Sequence, residues 1–213
     1  MKTRTNFLKI IIDFSIWKVK PRAETRFWVR KAILELQKTK KEESLKVLDL
    51  FSGTGCIGVS ILKNLPKSFV VFGDIEKAAL LQIKTNLKLN RIQNNRFQLL
   101  ETDVFSKVRG KYDVIFANPP YVARERWSEL QDSVKKEEPR IAWDGGTRGM
   151  TLFKKFLPVF SKYLKKEGIC YFEFDPYQIT EISHYLKKQK LSIRFLKDQF
   201  GKARWCRVQK IKV

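Results

Sequence analysis

The chain has 213 residues, enough for one catalytic domain with a single core plus a short extension, and too few for two complete domains. Its 44 Lys and Arg against 22 Asp and Glu give a formal net charge of +22, a positive field that favours nucleic acid or a ribonucleoprotein as surroundings, although a solvated Lys-rich surface gives the same count. Three cysteines without CxxC spacing, a single histidine (His184) and an early apolar run broken by Lys9 and Asp13 exclude a disulfide framework, a Ser-His-Asp triad, a His-based metal site and a bilayer span, so a reduced, metal-free, cytoplasmic protein with no membrane partner is expected.

Residues 1–43 read as a short N-terminal extension, of which residues 1–20 are too few to form a domain. A helix is predicted over Ala23 to Gln37, with Phe27, Ile33 and Leu34 at helical spacing, followed by a charged linker over residues 38–44. Residues 44–213 then form the main domain. Short apolar runs alternate there with segments of helical period, the pattern of a parallel sheet covered by helices on both faces. The first strand is predicted at Lys46 to Phe51, a helix at Ile57 to Leu65 stopped near Pro66, the second strand at Phe69 to Asp74 and a helix at Glu76 to Asn90, with Asn90 suited to a C-cap.

Between the first strand and its helix lies Asp49-Leu50-Phe51-Ser52-Gly53-Thr54-Gly55-Cys56-Ile57-Gly58, with glycines where the backbone must turn tightly and let a ligand approach. Alone, Gly53-x-Gly55-x-x-Gly58 is a dinucleotide fingerprint with Asp74 as ribose acceptor, so NAD is a formal candidate; a Walker loop is excluded because no Lys-Ser or Lys-Thr follows. Asp49, the loop, Asp74 and Asp103 recur at the ends of successive strands, which converge on one crevice in a doubly wound sheet. An adenosine there would set its ribose on Asp74 and its adenine amino group near Asp103, with the loop backbone facing a methionine part and Asp49 beneath.

Further strands are predicted at Phe97 to Leu100, Tyr112 to Ala117, Ile169 to Phe174, Ser192 to Leu196 and Arg204 to Lys210, with helices at about Thr151 to Leu164 and Tyr177 to Lys188; that makes seven strands, mostly parallel with the last antiparallel. After the fourth comes Asn118-Pro119-Pro120-Tyr121, which separates methyl transfer from hydride transfer. A planar NH2 nitrogen attacks an electrophilic methyl poorly unless held with its lone pair aimed along the sulfur–carbon axis. The Asn118 Oδ1 and the Pro119 carbonyl can each accept one NH2 hydrogen, the prolines fix the loop, and Tyr121 supplies a flat cover. Residues 122–150, polar and carrying Gly145-Gly146, read as an insertion beside the site. Trp127, Trp143 and Trp205 are expected to pack in the core or cover edges.

With these residues in view the sequence resembles the HemK or PrmC family of protein-glutamine N5-methyltransferases acting on peptide chain release factors. Pro21-Arg22-Ala23-Glu24-Thr25 resembles its Pro-Arg-Pro-Glu-Thr segment, Glu138-Pro139-Arg140-Ile141-Ala142-Trp143-Asp144-Gly145-Gly146 its Glu-Pro-Arg-x-Ala-Leu-Asp-Gly-Gly segment, and Asp198 with Gly201 to Arg204 its Asp-x-x-Gly-x-x-Arg ending. The resemblance implies a class I methyltransferase fold, Rossmann-like with helices on both faces, S-adenosylmethionine as cofactor with S-adenosylhomocysteine as product, and the glutamine of a Gly-Gly-Gln loop as substrate. It carries catalysis to Asn118, Pro119 and Tyr121, cofactor binding to Asp49, Phe51, Gly53, Gly55, Asp74, Ile75, Asp103, Val104 and Asn118, and substrate binding to Asn118, Pro119, Pro120, Tyr121, Glu24 and Arg140. Phe51-Ser52 departs from a usual Gly-Thr and Phe174-Asp175 from a common Ile-Gly after Glu173, and the helical docking domain usual in that family is expected to be essentially missing. Two other readings remain open: an RNA or DNA methyltransferase acting on a flipped exocyclic base amine, and a weakly catalytic domain binding RNA or ribosomes through the basic surface of residues 187–212. The partner implied by the resemblance is a release factor or another translation protein.

Overall fold

The computed structural model describes residues 3–40 and 44–210; residues 41–43 of the expected linker and the last three, including Lys212 of the expected basic surface, lie outside the described residues. Seven strands form one sheet: β3 (Lys46–Leu50), β4 (Phe69–Asp74), β5 (Phe97–Glu101), β6 (Tyr112–Ala117), β7 (Leu164–Glu173), β8 (Leu191–Lys197) and β9 (Ala203–Lys210). Their order is β5-β4-β3-β6-β7-β9-β8, parallel except that β9 runs against both neighbours. This is the seven-stranded, mostly parallel sheet with an antiparallel last strand that the sequence predicts. The chain runs outward from β3 to β5 and returns to β6 on the other side of β3, so the carboxyl ends of β3 and β6 flank the switch point where α/β sheets bind ligands.

Alternation along the buried strands feeds two cores. Val47, Val70, Phe72, Val114, Phe116 and Tyr171 face α1 (Ala23–Thr39), α2 (Cys56–Asn64) and α3 (Lys77–Leu89), while Leu48, Val71, Ile115 and Phe172 face α5 (Thr151–Phe156) and α6 (Ile179–Lys187). Both faces are covered, which is why these strands read as near-continuous apolar runs. The helix expected to reach Leu164 ends at Phe156, and a 3-10 turn at Phe160–Tyr163 takes over. Pro158 lacks an amide hydrogen and its ring crowds the preceding turn, so the helix cannot continue. The strand expected to begin at Ile169 starts at Leu164, with Glu167 in the left-handed region (φ 62°).

Residues 1–20 hold an element that the sequence reading lacks, a hairpin of β1 (Arg4–Phe7) and β2 (Ile10–Asp13). Its two turn residues, Leu8 and Lys9, both have positive φ (43° and 66°), the twist a two-residue hairpin requires but without the usual Asn or Gly. Phe7, Ile10 and Ile12 join the α1–α3 core. Besides Asn64 of α2, which donates to the Leu8 carbonyl at 3.3 Å, the polar attachment comes from α3, which lays out Gln82, Asn86 and, at its C-cap, Asn90 at successive turns of one face. Asn90 accepts from the Ile11 amide (3.0 Å) and donates to its carbonyl (2.7 Å); Asn86 does the same for Asp13 (2.8 and 2.9 Å) and also donates to the Thr54 carbonyl (2.9 Å). Gln82 Oε1 accepts from the amides of Ile16 (2.7 Å) and Trp17 (3.1 Å). Three side-chain amides thus pair with the N-terminal segment as a neighbouring strand would. Asn90 does stand at the C-cap, but its backbone is not left-handed and its side chain serves the hairpin.

Asn86 is fully buried, and truncating it orphans donors and acceptors at a cost of roughly 1–3 kcal/mol each. Asn86→Ala is expected to lower stability by about 3 kcal/mol in urea denaturation with an unchanged slope, whereas the exposed Thr85→Ala should stay within about 0.5 kcal/mol of wild type.

Candidate active site

Residues 52–55 turn the chain from β3 into α2. Gly53 and Gly55 have positive φ (55° and 76°), and a Cβ on Gly55 would come within 2.9 Å of the Ile83 side chain. Gly58 serves packing: a Cβ there would lie 2.2 Å from the Phe72 ring. Asp49 sits buried beneath the loop, its Oδ2 accepting from the Gly58 amide at 2.9 Å and its Oδ1 without a partner among the described residues. Burial raises its carboxyl well above the ordinary range, opposed by the Gly58 amide. Asp74, at the end of β4, accepts from Gly53 N (2.8 Å) and Glu76 N (3.0 Å), which braces the loop and leaves each oxygen a second lone pair. Burial raises its pKa too, against those amides. Phe51 and Val104 hold left-handed backbones (φ 59° and 50°), rarely populated by such side chains, at the two strand ends that frame the crevice. Asp103 is partly exposed and ion-paired to Lys155 at 2.8 Å, and Ile75 is half exposed beside Asp74.

The second wall grows from β6. Asn118, Pro119, Pro120 and Tyr121 follow its buried end and line a cleft of about 900 Å³ together with Phe51, Gly53, Asp74, Ile75, Asp103, Val104 and Glu24. The Tyr121 hydroxyl donates to Glu173 Oε1 at 2.7 Å, and Glu173 Oε2 accepts from Thr25 Oγ1 (2.7 Å) and Trp28 Nε1 (2.6 Å). Asn118 Nδ2 donates to Thr25 Oγ1 at 3.3 Å. Burial raises the Glu173 carboxyl, opposed by its three donors, and burial with Glu173 alongside pushes the Tyr121 phenol well up. The two Pro-Arg segments meet across 116 residues of sequence, with Arg22 Nη2 donating to both carboxylate oxygens of Glu138 at 2.7 Å.

Residues 122–150 fold back on the Asn-Pro-Pro-Tyr loop through a parallel bridge between Val122 and Asp144 and a short helix, α4 (Asp132–Glu137). Gly149 packs so closely that a Cβ would lie 2.1 Å from the Tyr121 carbonyl oxygen, the same oxygen that accepts from Gln178 Nε2 at 3.0 Å. Arg140 stands apart from the cleft lining; its Nε donates to Asp144 at 3.0 Å and its guanidinium lies 4.0 Å from the Trp127 ring centroid. Trp127 and Trp143 meet edge to face, and Trp205 is buried against Trp28.

Sequence reasoning passed over Glu173, Trp28, Gln178 and Trp17. Glu173 carries a readable signal, an acid at the carboxyl end of a buried apolar strand, as Asp49 and Asp74 do. Trp17, which lies against Gly53 in the cleft wall, has none, because its place depends on the unforeseen hairpin.

Residues 31–146 match the family model of the methyltransferase small domain. The chain is 34% identical over 186 residues to the release factor glutamine methyltransferase of Streptococcus pneumoniae, covering 86% of this chain and 64% of that protein. It spans between 50% and 64% of the length of three such relatives. Among solved structures it superimposes on the ribosomal protein L11 methylase of Lactobacillus delbrueckii subsp. bulgaricus (TM-score 0.65, 20% identity, 91% of this chain and 81% of that one). It also matches the 16S rRNA N2 G1207 methyltransferase of T. thermophilus (TM-score 0.64, 18% identity, 99% of this chain and 50% of that one). At these identities the structures speak to the fold alone, a class I methyltransferase sheet.

A carboxyl that holds its proton more tightly folded than unfolded adds stability below its ordinary pKa and loses it as pH rises through the raised value. Asp49→Asn has no such proton, so wild type should gain stability relative to this variant as pH falls from about 8 to about 5. Urea titrations of both proteins at the two ends test this; a constant gap would refute the assignment of the raised carboxyl to Asp49.

Proposed function

This chain belongs to the methyltransferase small-domain family, whose cofactor is S-adenosylmethionine, and from that premise we propose that it methylates a glutamine side-chain amide nitrogen in a protein, in the Gly-Gly-Gln loop of a release factor. The observation that carries the reading is the Arg22–Glu138 pair, which locks both Pro-Arg segments beside the Asn-Pro-Pro-Tyr loop. That loop suits any planar NH2 acceptor; the two segments are what narrow the choice to a glutamine.

The residues present fit the cofactor. Asp49 lies beneath the loop rather than in the cleft lining, and its Oδ1, unpartnered among the described residues, is an acceptor on the side where the ammonium of a methionine part would approach, while the free lone pairs of Asp74 suit a pair of ribose hydroxyls. Gly53 offers backbone without a Cβ in the cleft wall while Gly55, outside the lining, packs the turn against Ile83; Asp103 keeps an oxygen free of Lys155 for an adenine amino group, and Phe51, Ile75 and Val104 give apolar cover. The bound cofactor supplies an electrophilic methyl on a sulfonium. The chain's own residues supply position: Asn118 Oδ1 and the Pro119 carbonyl accept the two amide hydrogens, which aims the nitrogen lone pair, these bonds strengthen as positive charge develops on nitrogen, and one of the two hydrogens then leaves as a proton to solvent, restoring a neutral amide. Tyr121, its hydroxyl anchored to Glu173, covers the planar group, with Pro120 and Glu24 along the wall. Arg140 supports the insertion from outside the cleft. Residues 122–150 and the basic surface offer the protein substrate a docking face, so affinity should fall with salt, screened over about 8 Å at physiological ionic strength.

Asp74→Ala is expected to weaken S-adenosylmethionine binding markedly in calorimetry. Asn118→Ala should leave that affinity nearly intact while turnover falls by about a hundredfold or more. With labelled cofactor and release factor, ribosomal protein and RNA offered side by side, mass spectrometry should find the methyl on the Gly-Gly-Gln glutamine. Label in RNA with that peptide unmodified would instead establish an exocyclic base amine as the acceptor.

A further inference from the structure

We infer that Thr25 and Glu173 are positioning residues that dictate which end of the Asn118 side-chain amide faces the substrate, an inference resting on the reading that Asn118 accepts a hydrogen of the substrate NH2. Glu173 is 1% exposed and takes a hydrogen bond from each of Thr25 Oγ1, Trp28 Nε1 and Tyr121 Oη. A carboxylate has only lone pairs to offer, so the Thr25 hydroxyl hydrogen is committed to it. Thr25 Oγ1 then has only lone pairs for its next neighbour, Asn118. The amide must therefore turn its NH2 toward Thr25 and leave Oδ1 as its remaining polar end.

The reverse orientation is unfavourable twice over. It would set Oδ1 against the Thr25 lone pairs, and it would present an NH2 to the NH2 of the substrate. Polarity thus passes from the end of β7, through the first turn of α1, to the end of β6: carboxylate, hydroxyl, amide, substrate. Trp28 stacks on Phe116 and Trp205 at centroid distances of 6.1 Å each, which holds its indole N–H on the carboxylate. The Tyr121 ring is fixed by the same group, so one acceptor orients both the residue that receives the substrate hydrogens and the one that covers it.

Thr25→Val keeps the shape and removes the hydroxyl; Thr25→Ser keeps the hydroxyl; Glu173→Gln keeps the shape and supplies a donor that can reverse the chain. With labelled S-adenosylmethionine and intact release factor, Thr25→Val and Glu173→Gln should lower kcat by about 10–100-fold with KM and cofactor Kd within about threefold, and Thr25→Ser should recover to within about threefold of wild type. In the background of Asn118→Ala, Thr25→Val should have no further effect, because there is no amide left to orient. Additive losses in that double mutant would overturn the relay, as would wild-type turnover in Thr25→Val. A loss in Asn118→Ala beside an unaffected Thr25→Val rejects the relay alone; an unaffected Asn118→Ala rejects the underlying reading with it. One readout needs no turnover: the Asn118 side-chain NH2 protons, followed by NMR, should show one hydrogen protected from exchange in wild type and in Thr25→Ser, and neither in Thr25→Val. Equal protection in all three would also overturn the relay.

Discussion

A carboxylate buried at the end of a sheet strand must find donors or stay protonated, and Glu173 finds three. None comes from its own strand or its sheet neighbours. Thr25 and Trp28 belong to the first turns of α1, and Tyr121 belongs to the loop after β6. The desolvation of one acid thereby fixes the packing angle of α1 on the sheet and the orientation of the loop beside it. Removing the carboxylate would leave an indole N–H and two hydroxyls without acceptors in a nearly dry place, so the wall of the cleft and the α1 side of the core stand or fall together.

The sheet was legible because its physics is local. Strands buried on both faces read as apolar runs, and glycines mark the places where chain or ligand comes close, as at Gly55 and Gly58. The acids at successive strand ends could be listed from the sequence as well, and their convergence follows from topology alone. What escaped was set through space. The hairpin turn uses Leu8 and Lys9 rather than Asn-Gly, so no turn chemistry announces it; the α3 amides resemble an ordinary polar helix face until their partners are seen. The Glu173 cluster joins residues 52 to 148 positions apart, and only the fold reveals that one acid meets them.

The cleft joins two halves of different character. On the side built from the ends of β3, β4 and β5 the backbone is held under strain, with Phe51 and Val104 in left-handed conformations and Asp74 bracing the loop through the Gly53 amide. On the side that follows β6 the backbone is over-determined instead: Gly149 presses on the Tyr121 carbonyl, Gln178 donates to it, and the Val122–Asp144 bridge closes the insertion. Strained residues persist only where their surroundings over-determine them, and here the two kinds of constraint face one another across the cleft.

The amide face of α3 has a consequence for the order in which the chain is made. Ile11, Asp13, Ile16 and Trp17 leave the ribosome before Gln82, Asn86 and Asn90, which lie 65 to 79 residues later. At a synthesis rate of about 5–20 residues per second, the hairpin waits several seconds for the helix whose amides pair with its backbone. A two-stranded ribbon of this size has little stability alone. A hairpin made before the helix that pairs with it is therefore among the later elements to settle, and the wall that Trp17 contributes to the cleft is completed once α3 has docked against it.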